Sequence, residues 1–448
     1  MKKYFPLFIS LTVIVSNVQA IDLYQTYQKA LAYNADYLKA IATSQSGQEQ
    51  KNIARAALLP QINATGTISE NYFNQSGVSA NYNQPVYSAQ LSQTLFDYSK
   101  LSNYVKGKFA GQLADLQLTN ARQQLMTSVA QAYFDVLYAE DVLLATQMTK
   151  TALGKQLTQA LAAFQVGSVT IADVNDAQSG YDAAAAQEIQ DENSLINKKN
   201  VFRNITGIDP EQIQPLQEQI KLDTPLPQSD SAWSKIAESS NLNVLISLKQ
   251  MDMAKQDISI AKGGHYPTLT LQAQYQYQDT GNLDSTNNAD TQAQGLDYPG
   301  GPLSSYGSGS IGLQVSIPIF SGGGVSAQTR QATDNYEAAM QQLTSTDRQT
   351  NQNTRNAYWA VFNGVSIVNA QKSALLSAKT KLNSDTLGYQ VGIRNSVDLV
   401  SSQKNYYQTF QTYQQSRYQY LMAEVQLQYL SGKIDEQFLQ KINANIKN

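Results

Sequence analysis

The sequence predicts an α+β membrane protein in which four β-strands per chain join a barrel shared between copies, and long antiparallel coiled-coil helices make up the rest. Three observations predict it. The chain is exported yet carries no apolar helix long enough to span a membrane, its strands alternate strictly between apolar and polar residues, and its order of elements is written twice.

Export comes first in the chain. The stretch MKKYFPLFISLTVIVSNVQA has a basic start at Lys2 and Lys3, an apolar run from Phe5 to Val18, and small residues at Val18 and Ala20. It reads as a secretory signal peptide over residues 1–20, removed after Ala20. The apolar run is shorter than the about 20 residues a helix needs to cross a bilayer, and no later stretch offers a candidate. Such a chain is either soluble beyond the inner membrane or set in an outer membrane as strands.

The strands come next. At 268–278 the sequence TLTLQAQYQYQ places Leu269, Leu271, Ala273, Tyr275 and Tyr277 on one face of a strand and threonine and glutamine on the other. SIGLQVSIPIF does the same with Ile311, Leu313, Val315, Ile317 and Ile319, and Tyr87, Ala89, Leu91 and Leu95 stand opposite Ser88, Gln90, Ser92 and Thr94. Two hairpins are expected, 61–74 with 85–97 and 267–280 with 306–320. Pro60 and Pro267 mark their starts, since proline suits the first position of a strand.

A soluble sheet would bury the apolar face against a core. In lipid, four strands cannot close a barrel, and each unpaired backbone group at an open edge costs several kcal/mol. The membrane reading therefore requires several chains to share one barrel. Strands of about 10 to 13 residues have the length to cross. Tyr72, Phe73, Tyr275 and Tyr277 at the loop ends, and Phe96, Tyr98 and Phe320 at the others, are placed as aromatic girdles. Glu70 falls on the apolar parity and fits only at or above the headgroup level.

Self-similarity organises the remainder. FQVGSVTIADVNDAQ at 164–178 matches YQVGIRNSVDLVSSQ at 389–403, and AYFDVLYAEDVLLATQ from 132 matches AYWAVFNGVSIVNAQ from 357; both pairs lie 225 residues apart. Pro60 and Pro267 are only 207 apart, so the second half holds about 17 extra residues, assigned to the Gly-, Asn-, Asp-, Ser- and Pro-rich connection at 280–306. The layout is a first repeat over 21–206, a four-proline linker over 207–230, a second repeat over 231–432 and a C-terminal segment over 433–448.

Each repeat opens with a helical stretch, 22–58 or 231–262, before its hairpin. The runs Ser99–Phe164 and Val325–Tyr389 that follow contain no proline and read as single helices, each reaching roughly 100 Å at ~1.5 Å per residue. Short turns at 165–170 and 390–395 lead into returning helices. The second of these keeps Leu399, Tyr406, Tyr413, Tyr420 and Leu427 at heptad spacing, a pattern that favours packing over a ligand site. Helices with such narrow apolar stripes suit a cylindrical wall wet on both sides.

Composition closes several function classes. There is no cysteine, and His265, the single histidine, stands at a helix-to-strand junction. A disulfide framework, a thiolate metal site and a histidine cluster are thereby excluded, most catalytic plans built on thiol or imidazole are closed, and no cofactor is expected. Removing residues 1–20 leaves 30 basic against 35 acidic residues, too mild an imbalance for a nucleic-acid partner. No convergent nucleophile, base and orienting group is present, so an enzyme is not expected.

The motifs LLPQ, LSQTLFDYSK, ATQ after AYFDVL and FQVG with ADV follow one another in the first half, and GHYPTL, SIPIFSGG, YQVG and R with VDLV in the second. By these the chain resembles the TolC family of outer-membrane efflux ducts over nearly all of its mature length. The resemblance implies a homotrimer in the outer membrane with a twelve-stranded barrel, four strands from each chain. It also implies a helical tunnel in the periplasm and an equatorial region that includes the linker. The implied partners are outer-membrane lipid, a periplasmic adaptor (membrane fusion protein) and an inner-membrane transporter driven by protons or ATP, with drugs, toxic compounds or secreted proteins as cargo.

The resemblance also places a gate at the helix turns. Asp398 would give one carboxylate per chain to a ring at the constriction, favouring cations. Ser401 stands where the family usually has a second acid, and Asp176, one turn beyond Asp173, offers partial compensation. Tyr389 and Arg394 match gate tethers that make contacts near Asp173; Ala172 replaces a hydroxyl that often accompanies that aspartate. Val166, Gly167 and Ser168, with Val391, Gly392 and Ile393, are the tips an adaptor would grip. A plainer reading stands beside this one. Thr170-x-x-Asp173 and Asn395-x-x-Asp398 both have the form of a helix N-cap with an acid at the third position, and Gly167 and Gly392 are turn glycines.

One rival function is a trimeric outer-membrane adhesin or structural coiled coil without transport. It would show one uninterrupted heptad stalk rather than two internal copies with strands between helices.

Overall fold

The computed structural model describes residues 21–75, 78–279 and 305–446. The signal peptide at 1–20, most of the expected insertion at 280–306 and the last two residues lie outside these, as does the side chain of Phe73. The helices are α1 Leu23–Tyr33, α2 Ala35–Ala56, α3 Tyr98–Gln165, α4 Ile171–Thr206, α5 Asp230–Ser240, α6 Leu242–Gly263, α7 Gly324–Gln390, α8 Ser396–Leu430 and α9 Glu436–Asn443. The strands are β1 Gln61–Gln75, β2 Val78–Phe96, β3 Thr268–Gln278 and β4 Tyr306–Ser316. Among the described residues no helix is long and apolar enough to cross a membrane.

The two proline-free runs form uninterrupted helices of 68 and 67 residues. The leading stretches do not stay whole. The expected helix over 22–58 breaks at Asn34 and the one over 231–262 breaks at Asn241, where the backbone turns extended. In each case the asparagine closes one helix and caps the next. Asn34 Oδ1 accepts from the Tyr37 N–H at 3.0 Å, and Asn241 Oδ1 accepts from Asn243 N–H at 2.9 Å and Val244 N–H at 3.2 Å. Their amide groups donate outward, Asn34 Nδ2 to Ile205 O at 3.3 Å and buried Asn241 Nδ2 to Leu430 O at 2.8 Å. A side chain that supplies both acceptor and donor satisfies the break from two sides.

The chain divides into two compact units, one of residues 1–41, 118–244 and 347–448, the other of 42–117 and 245–346. The first holds the apolar core, built from Tyr133 and Phe134 of α3, Phe202 of α4, Tyr358 and Val361 of α7, Tyr420, Leu421 and Val425 of α8, and Leu439 and Ile442 of α9. The linker is tied into it: Ile21 bridges Ile213, Leu216 bridges Ile446, and the Tyr133 hydroxyl donates to Gln214 O at 2.7 Å. Along the returning helix the heptad side chains gain burial toward the C-terminal end, where Tyr420 and Leu427 are buried and Tyr406 and Tyr413 only half-buried.

The second unit carries one antiparallel sheet in the order β1-β2-β3-β4. Its register sorts the faces. Ile62, Leu91, Ala273 and Ile311 form one row across all four strands, and Gln90, Gln274 and Ser310 form the next, so apolar and polar rows alternate with the pleat. The apolar face is uncovered: Ile62, Tyr275, Leu313 and Val315 are exposed, and Ile311 is 76% exposed.

Two strand limits differ from expectation. β2 begins at Val78, not 85, and runs through Pro85. Pro85 O accepts from Asp279 N–H at 2.9 Å, so the proline's nitrogen also faces β3, just beyond the terminal Val86↔Gln278 pair. A missing donor costs nothing there. β4 ends at Ser316, so Ile317 and Ile319 lie beyond it, because Pro318 cannot continue the ladder.

Candidate functional site

The candidate site is the pair of helix turns, α3–α4 and α7–α8, both in the first unit. Each closes with the same backbone bonds. In the α3–α4 turn Ser168 N–H donates to Ala163 O at 3.0 Å and Gly167 N–H to Phe164 O at 2.9 Å; in the α7–α8 turn Ile393 N–H donates to Gly388 O at 2.8 Å and Gly392 N–H to Tyr389 O at 3.2 Å. Gly167 at φ 75° and Gly392 at φ 77° take the left-handed conformation that ends a helix tightly. Val166, Val391 and Ile393 are exposed, as are Gly167, Ser168 and Gly392.

At the first turn Thr170 and Asp173 form a capping box. Asp173 N–H donates to Thr170 Oγ1 at 3.3 Å, and Asp173 Oδ2 accepts from both the Thr170 N–H and its hydroxyl at 2.8 Å. These bonds, the backbone one foremost, hold the Asp173 carboxyl below the usual carboxylate range. Asp176 is exposed one turn further on.

At the second turn Asn395 caps α8, its Oδ1 accepting from Asp398 N–H at 2.8 Å. The Asp398 carboxylate does not fold back onto that cap. It stands 3.7 Å from Arg394 Nη1, while Arg394 Nε lies 3.4 Å from Asp385 Oδ1. Asp385 is the buried member, its side chain 5% exposed. Its Oδ2 accepts from Lys381 Nζ and from Ser402 Oγ, and Lys381 Nζ also reaches Ser402 Oγ at 2.7 Å. The Lys381 ammonium first, then the Ser402 hydroxyl, hold the Asp385 carboxyl below its ordinary value. The Arg394 stem crosses Gly388 so closely that a Cβ there would stand 2.7 Å from Arg394 Cγ. Tyr389 hydroxyl donates to Gln159 Oε1 of α3 at 3.1 Å, and Ser401 is exposed one turn beyond Asp398.

The chain thus brings Arg394 and Asp398 together, joins Tyr389 to Gln159, and turns Asp173 onto its own cap. Lys381, Asp385 and Ser402 escaped the sequence reading. The trace they left is a lysine and an aspartate four residues apart, in a half whose counterpart carries Gln156 and Ala160.

A profile of the family described as "Outer membrane efflux protein" matches residues 26–208 and 233–433. The chain belongs to the outer membrane efflux protein family. Over its whole length it is 35% identical to "Outer membrane protein TolC" of Salmonella enteritidis, spanning 89% of that protein. It is 31% identical to the protein of the same name from Vibrio cholerae, spanning 99% of it. With "Proteases secretion protein PrtF" of Dickeya chrysanthemi it shares 27% identity over 97% of this chain and 94% of the relative. Among solved structures, the Campylobacter jejuni CmeC outer membrane channel is similar with a TM-score of 0.77 at 17% identity, covering 95% of this chain and 90% of that one. This likeness shows that the chain has the fold of that outer membrane channel.

Proposed function

We propose that this chain is the outer-membrane channel-tunnel of a tripartite efflux or type I secretion system. It is an outer-membrane channel serving efflux or secretion, in keeping with relatives named for TolC and for protease secretion. Drugs, toxic compounds or secreted proteins pass through it without chemistry, from an inner-membrane transporter and a periplasmic adaptor to the outside.

The observation that carries the reading is the bare apolar face of a four-stranded sheet, backed by glutamine and serine, whose outer strands β1 and β4 have no further partner among the described residues. In lipid such edges must be paired. Three copies, each giving four strands, close one twelve-stranded barrel with the apolar face toward lipid and the glutamines toward a wet lumen. The two halves act as structural repeats, and their long helices form the periplasmic tunnel. The α3–α4 and α7–α8 turns form its gate, with Asp398 and Ser401 at the constriction. Arg394, Tyr389, Asp173 and Asp176 hold it, and an adaptor docks on the exposed Val166–Ser168 and Val391–Ile393.

Light scattering of the detergent-purified mature chain tests the assembly, and planar-bilayer recording tests the pore. A three-copy particle conducting ions is expected. A monomer that stays dissolved without detergent would remove the reading.

A further inference from the structure

We infer that Asp385 is a positioning residue of the gate: an intrachain latch that joins α7 to α8 and holds Arg394 beside Asp398. The inference rests on the reading of the helix turns as the gate. Its ground is the number and direction of the bonds this one carboxylate accepts. Lys381 donates from one turn earlier on α7, Ser402 donates from across on α8, and Arg394 lies 3.4 Å away in the turn between them. A carboxylate with a side chain 5% exposed survives only if its charge is met on most sides, and here it is met by both helices and the loop that connects them.

The same bonds set the place of Arg394. With Nε drawn to Asp385 and its stem laid over Gly388, the guanidinium can extend Nη1 only as far as Asp398, 3.7 Å away. Asp385 therefore fixes how much positive charge stands beside the carboxylate proposed to line the constriction. It also keeps that arginine within its own hairpin.

The chain has no cysteine, so single cysteines report cleanly, and the full mature protein in detergent and in planar bilayers is the test material. Asp385→Asn and Arg394→Ala are each expected to raise single-channel conductance, by roughly threefold. The double variant should rise no further than either single one, because a residue acting through another shows no separate effect. A spin label at Ile393→Cys should become more mobile with Asp385→Asn, while a label at Val166→Cys on the other turn stays unchanged. Ser402→Ala, which spares every charge, should shift both readings the same way by less, and decides the matter if Asp385→Asn does not assemble.

Raised conductance in Arg394→Ala together with wild-type traces in Asp385→Asn would overturn the inference, as would additive effects in the double variant. If neither single variant alters conductance, the gate reading itself fails. The Ile393 label then decides the latch alone: loosened, Asp385 still joins the helices; unchanged, it does not.

Discussion

The two helix turns follow one backbone path with different interiors. Positions 225 residues apart correspond, so Lys381, Asp385, Gly388, Arg394 and Ser402 face Gln156, Ala160, Ala163, Val169 and Ala177. Ser402 and Ala177 are both buried, so the same seat holds a hydroxyl that donates to a carboxylate in one turn and a methyl in the other. The α3–α4 turn is closed by backbone bonds, small side chains and a capping box. The α7–α8 turn adds an ionic latch. Packing with methyl groups is indifferent to charge, whereas a latch made of one carboxylate, one ammonium, one guanidinium and one hydroxyl can be undone by removing any of them. The closure of the α7–α8 turn is accordingly the one that removal of a single charged or hydroxyl group can loosen.

The largest expected effect must be held apart from both turns. Glu424 of α8, in the first unit near Tyr420, Asp223, Lys221 and Lys441, is pushed up to about 7 by burial. Its unfolded form ionises from 4.5 upward while the folded form keeps its proton to about 7. Stability therefore falls as pH rises between those values and is level above them. Glu424→Gln should raise stability by about 2 kcal/mol at pH 8, with partial solvent access already discounted, and change little at pH 4.5. Thermal unfolding at the two pH values measures it.

The Asp385 latch has the opposite sign. Its folded pKa is depressed below the ordinary 3.8, so its contribution is whole above that value and is lost as pH falls through the folded one. Loosening of the α7–α8 turn below about pH 4 thus cannot be confused with the Glu424 response.

Next in size is an exchange of interiors. The combined variant Lys381→Gln, Asp385→Ala, Arg394→Val and Ser402→Ala gives the second turn the residues of the first. Asp398 then loses the guanidinium 3.7 Å away, an attraction of about 1 kcal/mol between exposed charges before salt screening. Cation over anion permeability should rise roughly two- to fivefold, read from reversal potentials under a salt gradient. An unchanged ratio would mean that the two interiors are interchangeable.

Gly388→Ala is a gentler probe of the same difference. In a helix the change favours stability by up to about 1 kcal/mol, yet the new Cβ would displace Arg394. Conductance should therefore rise although the helix is strengthened, whereas the reverse exchange at its counterpart, Ala163→Gly, should leave conductance unchanged. The smallest effect belongs to the cap. Thr170→Ala removes the capping box and should cost about 1 kcal/mol locally, seen as faster hydrogen exchange at 171–174 with none at 396–399.

Much of this molecule is legible in its sequence because its longest elements obey one rule each. A proline-free run of alanine, glutamine and leucine becomes one helix to within a residue at each end, as at Tyr98–Gln165 and Gly324–Gln390. Strict alternation became strands whose rows align across the sheet. The misses are residues whose meaning depends on a neighbour far away in the chain. Asn34 and Asn241 look like ordinary helix residues until Ile205 and Leu430 offer carbonyls to their amides. Pro85 looks like the start of a strand until Asp279 shows which way its nitrogen faces. Asp385 is one acid among 35 acidic residues until Ser402 arrives from the returning helix. The caps at Thr170 and Asn395 were legible because every part lies within three residues.

The orientation of the sheet is tested most directly by labelling β4 one residue at a time. Single cysteines introduced at 311–315, spin-labelled in reconstituted vesicles, should alternate: Ile311, Leu313 and Val315 relaxed by lipid-dissolved oxygen, Gly312 and Gln314 by a water-soluble nickel chelate. Water-soluble relaxation at every position would contradict a pore that is apolar outside and wet within.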